Sequence, residues 1–125
     1  MLADLHIYAT LPATDLERAR RFYAEKLGLT PEREAAGGLF CRCGGGTEFF
    51  LFASQGAASG AYTQAGWITD DIEAEVAALK ARGLVFEEYD MPSLKTVNSI
   101  AETGPTRAAW FKDSEGNLLG FVQFV

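Results

Sequence analysis

The sequence predicts an α+β fold built from two βαβββ modules within one domain of 125 residues. Three observations lead there. Strand-like alternation gives way to helical spacing twice along the chain. The helix starts recur, Asp15-Leu16-Glu17 and Asp71-Ile72-Glu73, 56 residues apart. The helix stops recur as well, Gly28 and Gly83, 55 residues apart. A repeat of this period is a signature of duplicated supersecondary units.

The elements follow in order. Residues 5–11 alternate and favour β structure, and Pro12 is expected to end that strand. Thr14 or Asp15 can cap a helix through Leu16, Ala19, Phe22, Tyr23 and Leu27, with Gly28 and Pro31 forbidding its continuation. Three β segments come next, at 30–36, 38–43 and 47–53, joined by glycine-rich turns at Ala36-Gly37-Gly38 and Gly44-Gly45-Gly46. The first module thus spans about 4–53, and the small residues of 54–62 form a linker to a second module over 63–125. There a strand at 65–69 leads to Asp70 or Asp71 and a helix through Ile72, Val76, Leu79 and Leu84. Strands at 85–89, 106–112 and 117–124 complete it, the last two joined through Asp113-Ser114-Glu115-Gly116. The insertion at 90–105 carries Met91, Pro92, Leu94, Val97 and Ile100. It reads either as a loop with a few core anchors or as a lid over a cleft.

Composition narrows the function classes. The chain is 48% hydrophobic and 22% charged, so it can bury a core without disulfides or a structural metal. Eleven Lys and Arg against seventeen Asp and Glu give a net charge of −6. With no basic stripe, nucleic acid is a poor partner. No secretory leader pattern and no apolar run of membrane-spanning length occur, so the expectation is a cytoplasmic protein with no membrane partner. Cys41 and Cys43 are one residue apart, too close for an unstrained disulfide, and read as reduced thiols packed on a strand. Gly44-Gly45-Gly46 precedes a strand and so offers no helix N-terminus to a phosphate. His6 is the only histidine, and no nucleophile elbow accompanies it.

The run Leu11-Pro12-Ala13-Thr14-Asp15-Leu16-Glu17-Arg18-Ala19-Arg20-Arg21-Phe22-Tyr23, followed by Leu27-Gly28-Leu29, resembles the opening signature of the vicinal oxygen chelate superfamily. This is the superfamily of glyoxalase I, extradiol dioxygenases, fosfomycin-resistance transferases and bleomycin-resistance proteins. Ile68-Thr69-Asp70-Asp71-Ile72-Glu73 resembles its middle motif, and Phe111-Lys112-Asp113-Ser114-Glu115-Gly116-Asn117-Leu118-Leu119 its closing hairpin. The resemblance covers essentially the whole chain. It implies paired modules whose mixed sheets curve around a cleft, usually in a homodimer.

The resemblance also locates the positions that hold a metal in the metal-dependent members. In this sequence they are Tyr8, Phe50, Gln64 and Gly120. A divalent ion needs several converging imidazoles or carboxylates, which this set does not supply. The expectation is therefore no catalytic metal and no cofactor, with His6, Gln64 and Glu48 as the only fallback ligand set. Strand alternation, taken with the family geometry, turns Tyr8, Glu48, Phe50, Phe52, Gln64, Trp110 and Gly120 toward the cleft. Trp110 and Arg107 fall on opposite faces of one strand, so only one of them can line it, and Trp110 is preferred. Such aromatics either line a pocket for a planar or amphipathic ligand or simply fill a closed core.

The resulting expectation is a metal-free protein that binds and sequesters a small aromatic or cationic drug or metabolite, resembling the bleomycin-resistance branch. Two alternatives stand beside it. One is a lyase, isomerase or dioxygenase with a non-standard metal site, or a metal-free enzyme using Tyr8 or Glu48 as acid or base. The other is a regulatory binding module without catalysis.

Overall fold

The computed structural model describes residues 1–35 and 37–125. Ala36 lies outside them, and the turn expected at Ala36-Gly37-Gly38 falls on it. The first sheet has the order β1-β4-β3-β2, from β1 (Ala9–Ala13), β2 (Arg33–Ala35), β3 (Gly38–Arg42) and β4 (Glu48–Ala53). The second has the order β5-β10-β9-β8-β7-β6. It comprises β5 (Thr63–Ile68), β6 (Asp90–Met91), β7 (Leu94–Val97), β8 (Ile100–Thr103), β9 (Thr106–Lys112) and β10 (Leu118–Phe124). Each sheet mixes one parallel pair, β1 with β4 and β5 with β10, with antiparallel neighbours.

Both helices form for the expected reason. In α1 (Leu16–Leu27) the Asp15 carboxylate accepts the Arg18 N–H at 3.1 Å. In α2 (Ile72–Ala81) Asp71 accepts that of Ala74 at 3.1 Å. Each cap satisfies a donor that the helix itself leaves orphaned. Gly28 ends α1 at φ 69°, a left-handed conformation that glycine adopts without a side-chain penalty. Helix α1 packs on β4 and α2 on β9 and β10. The strand faces beneath them bury Leu11, Leu39, Cys41, Leu51, Phe111 and Leu119 in one core that crosses both modules. No helix among the described residues is long and apolar enough to cross a membrane.

Four expectations are corrected. The first strand begins at Ala9, so His6 and Tyr8 precede it, and Ile7, expected beneath the helix, is 96% exposed. Pro12 lies within β1 instead of ending it. Because β1 is a sheet edge, the missing N–H costs no ladder bond there. In the second module, 85–89 contributes only a bridge from Phe86 to Phe111, with the Glu87 N–H donating to the Trp110 carbonyl at 2.8 Å. The insertion is neither loop nor lid: β6, β7 and β8 form a meander that widens the second sheet.

The β7–β8 turn places Asn98 (φ 52°) and Ser99 (φ 73°) in the left-handed region. Glu88 holds it, accepting the Ser99 N–H (3.1 Å) and the hydroxyls of Ser99 and Thr96 (both 2.7 Å). These bonds keep the Glu88 carboxyl below its ordinary range, the Thr96 and Ser99 hydroxyls contributing most.

The β9–β10 turn clasps the modules together within one chain. Glu115, whose side chain is fully buried, accepts the Asp15 N–H (2.9 Å), the Thr14 hydroxyl (3.3 Å) and the Ser114 hydroxyl (2.8 Å). The Arg18 guanidinium donates two further bonds to it, at 2.8 and 3.0 Å. Burial by itself would raise the Glu115 pKa, but the Arg18 bond, the Asp15 N–H and the Ser114 hydroxyl outweigh it and hold the group down at about 2. Beside it, Asp113 accepts the Tyr23 hydroxyl, and Asn117 donates to the Pro12 carbonyl at 3.0 Å.

Candidate functional site

The candidate site is the face of the two sheets turned away from the helices. In the first sheet, register sets Thr10 opposite Phe50, Phe50 opposite Phe40, and Phe40 opposite Arg33. Alternation then brings these side chains to one face and leaves Phe49 and Leu51 in the core. The Phe40 and Phe50 rings lie 4.5 Å apart, Phe50 and Phe52 are stacked at 6.5 Å, and Tyr8 reaches Phe40 at 6.2 Å. Gly38 makes room for this arrangement, since a Cβ there would lie 2.5 Å from the Phe50 ring. The Arg33 guanidinium sits 4.0 Å over the Phe40 ring and pairs with Glu48 through bonds of 3.1 and 3.4 Å. The outcome is a half-exposed aromatic platform with one ion pair at its end.

The second sheet presents a different surface. Gly66, Gly120 and Trp110 form one cross-strand row. A Cβ on Gly120 would approach the Ala109 carbonyl at 2.9 Å and the Trp110 indole at 3.1 Å. The indole meets Tyr89 edge-on, with centroids 5.6 Å apart. Arg107 points to the opposite face, where it bonds Glu73 of α2 at 2.7 Å, so Trp110 is the residue that shares the Gly120 face.

The seam between the sheets joins part of the predicted set. A cavity of about 730 Å³ between β1, β4 and β5 is lined by Tyr8, Glu48, Gln64 and Gly66. His6 lines a neighbouring cavity of about 570 Å³ together with Tyr8, Phe40 and Glu48. Phe50 and Phe52 belong to the aromatic platform but line neither cavity, and Trp110 and Gly120 form their own group. Three residues of this surface escaped the sequence reading: Phe40, Arg33 and Tyr89. Phe40 was readable in principle, as an aromatic between Leu39 and Cys41 in an alternating strand.

The residues at the ligand positions do not fit a divalent ion. Phe50 and Gly120 have no donor atom, Tyr8 and Gln64 offer a phenol and an amide, and the nearby Glu48 carboxylate is engaged by Arg33. Among the described residues, no group of three or more His, Cys, Asp or Glu is placed to hold a metal. Nor do the thiols suggest a nucleophile. Burial and then the neighbouring Cys43 push Cys41 up to about 12, and Cys43 accepts the Trp67 indole N–H at 3.5 Å.

Comparison with known proteins agrees with this architecture. Residues 6–121 match the sequence profile of the Glyoxalase/Bleomycin resistance protein/Dioxygenase superfamily. No curated protein matches the sequence. A glyoxalase/bleomycin resistance protein/dioxygenase from Alicyclobacillus acidocaldarius has a similar fold, with a TM-score of 0.71 at 21% identity over 97% of this chain and 92% of its own. TnmS3, an antibiotic binding protein from Streptomyces sp. CB03234, superposes with a TM-score of 0.67 at 23% identity over 98% of both chains. UcmS2 does so with a TM-score of 0.71 at 18% identity over 92% of this chain and 94% of its own.

Proposed function

The chain belongs to the glyoxalase/bleomycin resistance protein/dioxygenase superfamily, and from that premise we propose that it binds a small planar organic molecule, aromatic or cationic, and sequesters it without a metal. The observation that carries this reading is the aromatic platform of Tyr8, Phe40, Phe50 and Phe52, kept half-exposed on the face away from the helices. Aromatic side chains in a core would be covered; these pack ring against ring and stay partly exposed, a surface that a flat ligand would bury. The description of TnmS3 as an antibiotic binding protein supports a small-molecule ligand.

In this reading Tyr8 and Gln64 supply the polar contacts at the seam. Glu48 meets a cationic group by exchanging its partner Arg33 for the ligand. Trp110 over Gly120 offers a second stacking wall. Binding makes and breaks no covalent bond, so no residue is assigned a catalytic role. We further propose that the chain acts as one domain in a cytoplasmic homodimer whose second copy closes the cleft. The apolar side chains that a single chain leaves in solvent support this, notably Leu2, Leu5, Ile7 and Ile68.

Isothermal titration with planar aromatic and cationic antibiotics tests the proposal. Phe50→Ala should weaken a bound compound by about tenfold, the worth of one lost aromatic contact, while leaving the folded spectrum unchanged. Undiminished affinity in Phe50→Ala and Tyr8→Ala would remove the platform from consideration.

A further inference from the structure

The meander of the second sheet borders a groove beside helix α2. An α-helix with its side chains is about 10 Å wide and strands lie about 4.8 Å apart, so one helix covers roughly two strands. Helix α2 covers β9 and β10, and the outer face of β7 and β8 extends beyond its flank. The space between them is a cavity of about 780 Å³, on the side of the sheet opposite Trp110 and Gly120.

Its lining combines an apolar floor with an excess of cations. Val76 comes from α2, while Val97 and Ile100 flank the Asn98–Ser99 turn, and Val97 is left 65% exposed. Three cations line the cavity, Lys80, Lys95 and Arg107, against two carboxylates, Glu73 and Glu102. Arg107 takes up both acids: its guanidinium bonds Glu73 at 2.7 Å and approaches Glu102 at 3.9 Å. The atom nearest Glu102 is its Nε, which is buried and makes no hydrogen bond at that distance. Lys80 and Lys95 take part in no ion pair among the described residues. Glu88, the next carboxylate in the field of Lys80, directs its oxygens to Thr96 and Ser99. The lining thus carries one net positive charge on a protein of net charge −6, with Asp90 of β6 directly across from Lys95.

We infer that this groove is a second ligand site, for a small organic anion: its carboxylate or phosphate meets Lys80 and Lys95, and its apolar body covers Val76, Val97 and Ile100. Charge-assisted bonds to the two ammonium groups give the anion its advantage over a neutral ligand of the same shape. The inference is independent of the aromatic platform, which lies on the other face.

Amide chemical-shift mapping on the full chain tests it, using 2-naphthoate, 1-naphthyl phosphate and the neutral 2-naphthalenemethanol as probes. At least one anion should shift Lys80, Val97 and Ile100 saturably, and bind about tenfold more tightly than the alcohol. Which anion binds more tightly distinguishes a carboxylate from a phosphate ligand. The double variant Lys80→Ala/Lys95→Ala should retain a folded spectrum and lose that preference, whereas Phe50→Ala should keep it. Non-saturating shifts, an alcohol that binds as well as the anions, or shifts confined to the face of Phe50 and Trp110 would overturn the inference.

Discussion

Glu115 offers the sharpest test of how the two modules are joined. Its buried carboxylate accepts five hydrogen bonds, four of them from the first module, and its pKa is held at about 2 against an ordinary 4.5. A folded-state value below the unfolded one means that ionised Glu115 stabilises the fold above the unfolded pKa. That stabilisation is lost as pH falls from about 4.5 through about 2. At 1.36 kcal/mol per unit the contribution at neutral pH is about 3 kcal/mol. Glu115→Gln keeps the shape and removes the charge. Urea denaturation at pH 7 should therefore show the variant less stable by about 2–3 kcal/mol, part of the clasp being retained by the amide oxygen. At pH 3 the gap should narrow to about 1 kcal/mol, because the wild-type carboxylate then loses most of its advantage. A gap equal at both pH values, or below about 0.5 kcal/mol at pH 7, would refute an ionised clasp.

Other consequences follow from the same contacts. Gly120→Ala should destabilise the chain by about 1–3 kcal/mol and alter tryptophan fluorescence, since the new methyl meets the Ala109 carbonyl and the Trp110 indole; thermal unfolding checks this. Asp15→Ala and Asp71→Ala should each cost about 1 kcal/mol in chemical denaturation, each leaving one helical N–H without its acceptor. In the native protein at pH 8, Ellman's reagent should leave Cys41 unmodified, and both thiols should react after denaturation.

Much of the architecture was legible because the signals were local and duplicated. Asp15 and Asp71 cap helices in the way their spacing implies, and the hydrophobic alternation of 47–53 correctly divides Phe49 and Leu51 from Phe50 and Phe52. The meander was not legible. Its strands are only two to four residues long, and Asn98-Ser99 is a weaker turn signal than Asn-Gly; the turn is held by Glu88, ten residues away in sequence from Asn98. Pro12 misled for a related reason, since only the finished sheet reveals that β1 is an edge. At the candidate site, the family positions and strand parity led to Tyr8, Glu48 and Gln64, which share a cavity. They missed Phe40, which its alternation with Leu39 and Cys41 makes readable, and Arg33, whose place over Phe40 depends on the β2–β3 register, a non-local property.

The most direct test of the central claim is a thermal-shift measurement with planar aromatic and cationic antibiotics, run on wild type and Phe50→Ala with and without a chelator. A compound at a hundredfold excess over its dissociation constant should stabilise the wild type by about 2.7 kcal/mol, a rise in Tm on the order of 10 °C. This shift should survive the chelator and collapse in Phe50→Ala. A shift that requires a divalent ion, or one that Phe50→Ala leaves intact, would contradict a metal-free binding face built on the stacked aromatics.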